Sequence, residues 1–232
     1  MSNIRDYQTT WASYRKRVTA AVEERDKELS RLEKYEGERA EGERKAARDK
    51  FGQAVEAARV EAKGGFRRVL ESMRDKAEEQ GEVMQAPTAE QVHLLQMLAM
   101  RDSISATEAK SAALALAGND DAIATLQQLC TARGGVVVSA VADCKSKRGK
   151  AHDALGAFQE AAGMCLQWSG GNRSSLMSER NAQRLQHVPE SERIPLGAAV
   201  SADVDAGNMS EHEFTKVIVG NAATVEAARL LD

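Results

Sequence analysis

No proline interrupts the chain from Ile4 to Gln80, and apolar residues within that stretch recur in steps of three and four. A long proline-free run with this period is read as helix, because proline would remove a backbone donor and a strand would show a period of two. Ile4, Tyr7, Trp11, Tyr14, Val18 and Ala21 form a first stripe, the pattern of a seam buried against another helix. The same phase then passes Arg25, Glu28, Leu32 and Tyr35, so the seam turns partly polar. A second stripe, Phe51, Val55, Ala58, Ala62, Phe66, Val69, Met73 and Ala77, resumes the apolar steps.

Between the stripes lies EGERAEGERKAARDK, residues 36–50, with five acids and five bases. The pairs Glu36–Arg39, Glu41–Arg44 and Glu41–Lys45 stand at helical neighbour spacing, each worth about 0.2–0.5 kcal/mol. Gly37 and Gly42 oppose the helix by about 1 kcal/mol each. One long rod with a wet middle and a helical hairpin bent near the glycines both fit, and the glycines favour the hairpin.

Composition points the same way. Aromatic residues make up 4% of the 232 positions, proline occurs three times and charged residues reach 29%, which suits long helices. A net charge of −3 gives no electrostatic footprint for nucleic acid and suits protein partners. Cys130, Cys144 and Cys165 are odd in number and widely spaced, which argues for a reducing compartment rather than a disulfide framework. No apolar run approaches the roughly 18 residues of a membrane span, and the polar start MSNIRDYQTTW lacks the apolar stretch of a signal peptide. The expectation is a soluble protein, intracellular when synthesised.

The middle of the chain is punctuated differently. Thr88 is placed to cap a helix bearing Val92, Leu95, Met97, Leu98 and Met100. Ser105-Ala106-Thr107-Glu108 is a capping box that opens a second helix with Ala109, Ala112, Ala113 and Leu116. Gly118 is placed to stop that helix in a left-handed conformation. Asn119 or Asp120 then caps a third helix with Ile123, Leu126, Leu129 and Cys130 on its apolar face. Three capped helices this short make a small bundle, either a folding unit alone or a docking module.

The stretch HLLQMLAMRDSISATEAKSAALALAGNDDAIATLQQL, residues 93–129, resembles a segment of small helical proteins encoded among the structural genes of tailed phages and prophages. The shared order is a short apolar helix, a capped second helix, and a Gly-Asn step into a helix ending in leucines. The resemblance implies a role in the virion or in capsid assembly.

After Arg133-Gly134-Gly135, the residues Val137, Val141, Cys144, Arg148, Ala151, Leu155, Phe158, Ala162 and Cys165 step by four and three. This period predicts one helix over 136–168, and Gly149, Gly156 and Gly163 beside it predict a close approach to another helix. A further helical piece is expected over 175–186, an irregular segment around Pro189 and Pro195, and a last helix opened by the capping box Ser210-Glu211-His212-Glu213. That helix carries Phe214, Val217, Ile218, Val225 and Leu230, with Gly220-Asn221 as a break.

No chemical constellation emerges. Counting from Asp203, the calcium-loop glycine position holds Asn208 and the bidentate glutamate position holds Phe214. His93, His152, His187 and His212 lack metal-site companions, and the spacing of Cys144, His152 and Cys165 specifies no site. The basic cluster Lys145, Lys147, Arg148 and Lys150 has no interleaved aromatics and reads as a solvated face. GGVVV and SGGN lack the register of a phosphate loop.

The expected organisation is all-α: long coiled-coil-like helices with a small central three-helix bundle. Coiled-coil arms are expected over 1–82, the small module over 87–133 and the Ala/Gly-rich helix with its extension over 136–186. A linker over 187–209 and a C-terminal helix over 210–232 follow. The functional expectation is non-enzymatic, with no cofactor or metal: a scaffold-like or minor virion protein. Its interaction residues would be Ile4, Tyr7, Trp11, Tyr14, Val18, Phe51, Val55 and Phe66. Partners would be further copies or other phage structural proteins, in the host cytoplasm or the virion. An inhibitory or regulatory protein that binds a host complex is the competing class, and a nucleic-acid adaptor working through Lys145 to Lys150 a third, weaker one.

Overall fold

A computed structural model describes residues 2–80, 86–133, 141, 144–170, 207–219 and 222–232. Among them the secondary structure is all helical, with eight α-helices, a closing 3-10 turn and no strand. The expectations for residues 136–140, for the 175–186 helix, for the calcium-loop aspartates and for the Gly220-Asn221 break lie outside the described residues.

Helix α1 spans Asn3–Leu32 and α2 spans Glu38–Glu79. The hairpin alternative is the one adopted. Gly37 turns the chain at φ 99°, a conformation that a side chain resists, and serves as the N-cap of α2. The two helices run antiparallel, as the descending partners Arg17–Glu61, Glu24–Lys50 and Arg31–Glu43 require. The wet middle is paired differently from the local expectation. Arg39 reaches Glu43 at 3.5 Å, while Arg44 donates to the carbonyls of Leu32 at 2.8 Å and Tyr35 at 2.7 Å. Arg44 thereby adds a second donor to the Leu32 carbonyl, which also accepts from Tyr35 N at 3.2 Å, and closes the Tyr35 carbonyl in the turn beyond α1.

Helices α3 (Ala89–Ala99), α4 (Ala106–Ala115) and α5 (Asp120–Ala132) follow the punctuation read from the sequence. Thr88 and Ser105 each form reciprocal capping boxes, with Gln91 and Glu108. Gly118 sits at φ 82° and Asn119 Oδ1 accepts from Ala122 N at 2.9 Å. These helices bury their own cluster: Leu98, Ile104, Leu116, Ile123, Leu126 and Cys130, joined by Val141.

Helix α6 spans Lys147–Gln167, α7 Glu211–Val219 and α8 Ala222–Ala228, followed by the 3-10 turn Arg229–Leu231. The helix expected over 136–168 is not continuous. Residues 144–146 leave the helical path and Ser146 caps a new start, its Oγ accepting from Gly149 N at 3.0 Å. The break is fixed by tertiary contact, since the Asp120 carboxylate holds both the backbone and the hydroxyl of Ser146. Of the heptad glycines, Gly149 makes a close approach, to Asp120 on α5, and the other two do not. Gly156 and Gly163 face outward, with no described atom within 4 Å of a would-be Cβ. Close packing of α6 comes instead from the buried alanines 151, 154, 157, 161 and 162.

The body of the molecule is built where α1, α2, α6, α7 and α8 meet. Tyr7 lies at its centre, with ring centroids 4.8 Å from Phe66, 4.9 Å from Phe158 and 6.1 Å from Phe214. Trp11 adds an edge-on contact to Phe214 at 5.9 Å. Each such ring contributes about 1.5–3 kcal/mol of burial, and each tilted pair about 0.5–1.5 kcal/mol more. The two ends of the chain are tied together beside this core: Asn3 Nδ2 donates to Leu231 O at 2.6 Å and Ile4 N to Asp232 Oδ1 at 3.1 Å.

Candidate interaction surfaces

The N-terminal seam meets this chain's own helices. Ile4, Tyr7, Trp11, Tyr14, Val18, Val55 and Phe66 are all buried in the body core. Phe51 is half-buried, with the Arg25 guanidinium 4.5 Å above its ring. The expected contact face is therefore interior, because α6 and α7 bring Phe158 and Phe214 onto the seam. Helical spacing announces that a stripe is buried but carries no information about which helix buries it.

What faces solvent is a different apolar set. On α3 only Leu98 is buried, while Met97 is 45% exposed and Met100, the C-cap, 73%. Met97 and Met100 stand three apart and so share a face, His93 is on the same side, and Val92 is exposed beside them. Leu114 on α4 is also exposed, next to Ala115, whose carbonyl accepts from Gln91 Nε2 at 3.3 Å. Methionine side chains are flexible and polarizable, so they adapt to an irregular partner surface. The sequence carried this signal: α3 holds apolar residues all round, more than one short helix can bury in a small module. Elsewhere, the exposed ring of Tyr35 stands at the tip of the hairpin among Arg31, Glu36 and Arg39.

The basic cluster is partly spent within the chain. Lys145 is buried and binds Asp153 at 2.7 Å, and Arg148 pairs with Glu78. His152 Nε2 also lies 3.3 Å from Glu78. Lys147 is exposed and Lys150 half-exposed, which leaves no continuous cationic stripe along α6.

All three cysteines are free, and burial pushes the Cys130 thiol above its ordinary value. Glu108 and Glu213 are held below the usual carboxylate range by hydrogen bonds from Ser105 and Ser210, the expected result of capping. Among the described residues no group of three or more His, Cys, Asp or Glu side chains is arranged to hold a metal ion. No helix among them is long and apolar enough to cross a membrane.

Among the described residues the fold is all helical and the buried apolar residues fall into two clusters. No family model, curated protein or solved structure matches the chain.

Proposed function

We propose that the chain is a structural or assembly component of a phage particle, acting through helix-mediated contacts with other virion proteins. The observation that supports this reading is the exposed pair Met97 and Met100 at the C-terminal end of α3, with Val92 exposed on an adjoining side. It lies within or beside the 93–129 segment that resembles proteins of phage structural gene clusters. In this reading α3, α4 and α5 act as a three-helix bundle that docks on a neighbouring subunit, and the α1–α2 hairpin is a coiled-coil-like arm that sets the spacing. The chemistry is burial of apolar surface, about 25 cal/mol per Å² removed from water.

The test pairs the purified chain with the capsid, portal and tail proteins encoded beside its gene. Size-exclusion chromatography with light scattering then records which of them co-elute. The expected outcome is a complex with at least one virion protein, lost when Met97→Glu and Met100→Glu are combined while far-ultraviolet circular dichroism stays unchanged. A monomer that binds none of them sinks the reading. Capture of a host complex in their place would replace it with the inhibitory class.

A further inference from the structure

We infer that the segment from α3 to α5 is a hinged unit, and that the Asp120 carboxylate is the latch fixing it to the start of α6. Among the described residues the two apolar clusters share no member. Within the hinged unit α5 packs on α3 and on α4, whereas α1, α2, α6, α7 and α8 pack on one another in the body. Among the described residues, the α6 N-terminus is joined to this segment by hydrogen bonds at Asp120 and Gly118 and by Cys144, which packs on the smaller cluster. Asp120 accepts from Ser146 N at 2.8 Å and from Ser146 Oγ at 2.6 Å. Two residues earlier, Gly118 N donates to Cys144 O at 3.2 Å from a left-handed backbone that suits glycine.

The fit at the latch is close. A Cβ added at Gly149 would lie 2.5 Å from Asp120 Cγ, so the carboxylate reaches the first turn of α6 only because that position carries no side chain. There the carboxylate is near the N-termini of two helices, α5 and α6, and the positive end of each dipole favours it. Parting this latch breaks the hydrogen bonds to Ser146 and Cys144 and the edge contact of Cys144, while the buried residues inside each cluster keep their packing. Opening is thus a local event well below global unfolding. The latch also sets the angle at which the α3 face is presented relative to the body, whatever that face binds.

Trypsin on the full-length native chain tests the latch, with cleavage after Lys145 and Lys147 followed by mass spectrometry. Cleavage of a transiently open site tracks the open population. Asp120→Ala is expected to raise the initial rate about tenfold, and Ser146→Ala to raise it as well. Asp121→Ala removes an exposed acid from the same first turn of α5 and should leave the rate unchanged. The thermal midpoint reported by Trp11 and Trp168 fluorescence, both in the body, should be the same in all of them. Equal cleavage of Asp120→Ala and the parent chain would overturn the latch. So would an equal rise in Asp121→Ala, or a fall in the fluorescence midpoint of Asp120→Ala, which would make Asp120 part of the body's own stability.

Discussion

Tyr14 shows how one side chain links the hairpin to α6. Its hydroxyl donates to Trp168 O at 2.6 Å, with Leu166 O at 3.3 Å, and Arg59 Nε donates to the same Leu166 carbonyl at 3.0 Å. The Leu166 carbonyl in the last turn of α6 is thus satisfied from α1 and α2, and Trp168 O just beyond it from α1. Burial pushes the Tyr14 hydroxyl above its ordinary value of 10.0, partly opposed by the Arg59 guanidinium. Below about pH 10 the phenol is protonated in both states and its contribution is complete; above that the unfolded chain releases the proton first. Stability therefore falls as pH rises from the unfolded value toward the raised folded one. Denaturant midpoints taken between about pH 9 and 11 should fall more steeply for the parent chain than for Tyr14→Phe, which itself costs about 1 kcal/mol at neutral pH. Identical slopes in the two proteins would show that Tyr14 does not titrate differently on folding.

At the scale of elements, the hairpin divides into a packed half and a nearly bare one. Beyond Ala21, α1 fully buries only Leu32, and before Val55, α2 fully buries only Ala40. Such an arm has little apolar surface to hold it, so its end depends on Arg44 closing the Leu32 and Tyr35 carbonyls. Replacing Arg44 by alanine should speed amide hydrogen exchange across residues 22–54, by a local opening cost of about 1–3 kcal/mol, with the global midpoint nearly unmoved. Unchanged exchange in the arm would mean that the turn holds without this cap. Elements like this one were only half legible in the sequence. The capping residues Thr88, Ser105, Asn119 and Ser210 each specify a helix start through a local bond, and local bonds follow from local sequence. Arg44 as a cap, Asp120 as the cause of the α6 start and Gly65 against the Thr10 methyl are contacts between distant segments. The apolar steps from Val141 to Cys165 run in phase through Ser146, so periodicity could not reveal a break made by an aspartate 26 residues away.

For the whole molecule, two unshared cores imply two cooperative units. Every tryptophan and tyrosine lies outside the α3–α5 segment: Trp11, Tyr7 and Tyr14 in the body core, Trp168 packed against it and Tyr35 at the arm tip. Fluorescence therefore reports the body, whereas far-ultraviolet circular dichroism sees the helices of both units. Leu126 is fully buried in the smaller cluster, and its change to alanine should cost about 2–5 kcal/mol there. Phe66 is its counterpart in the body, with an expected cost of about 3–5 kcal/mol. Leu126→Ala should split the thermal transition, with part of the helical signal lost early while the fluorescence midpoint stays at the parent value. Phe66→Ala should lower the fluorescence midpoint directly. A single transition, shifted equally in both probes by either substitution, would show that the latch region couples the two cores into one folding unit.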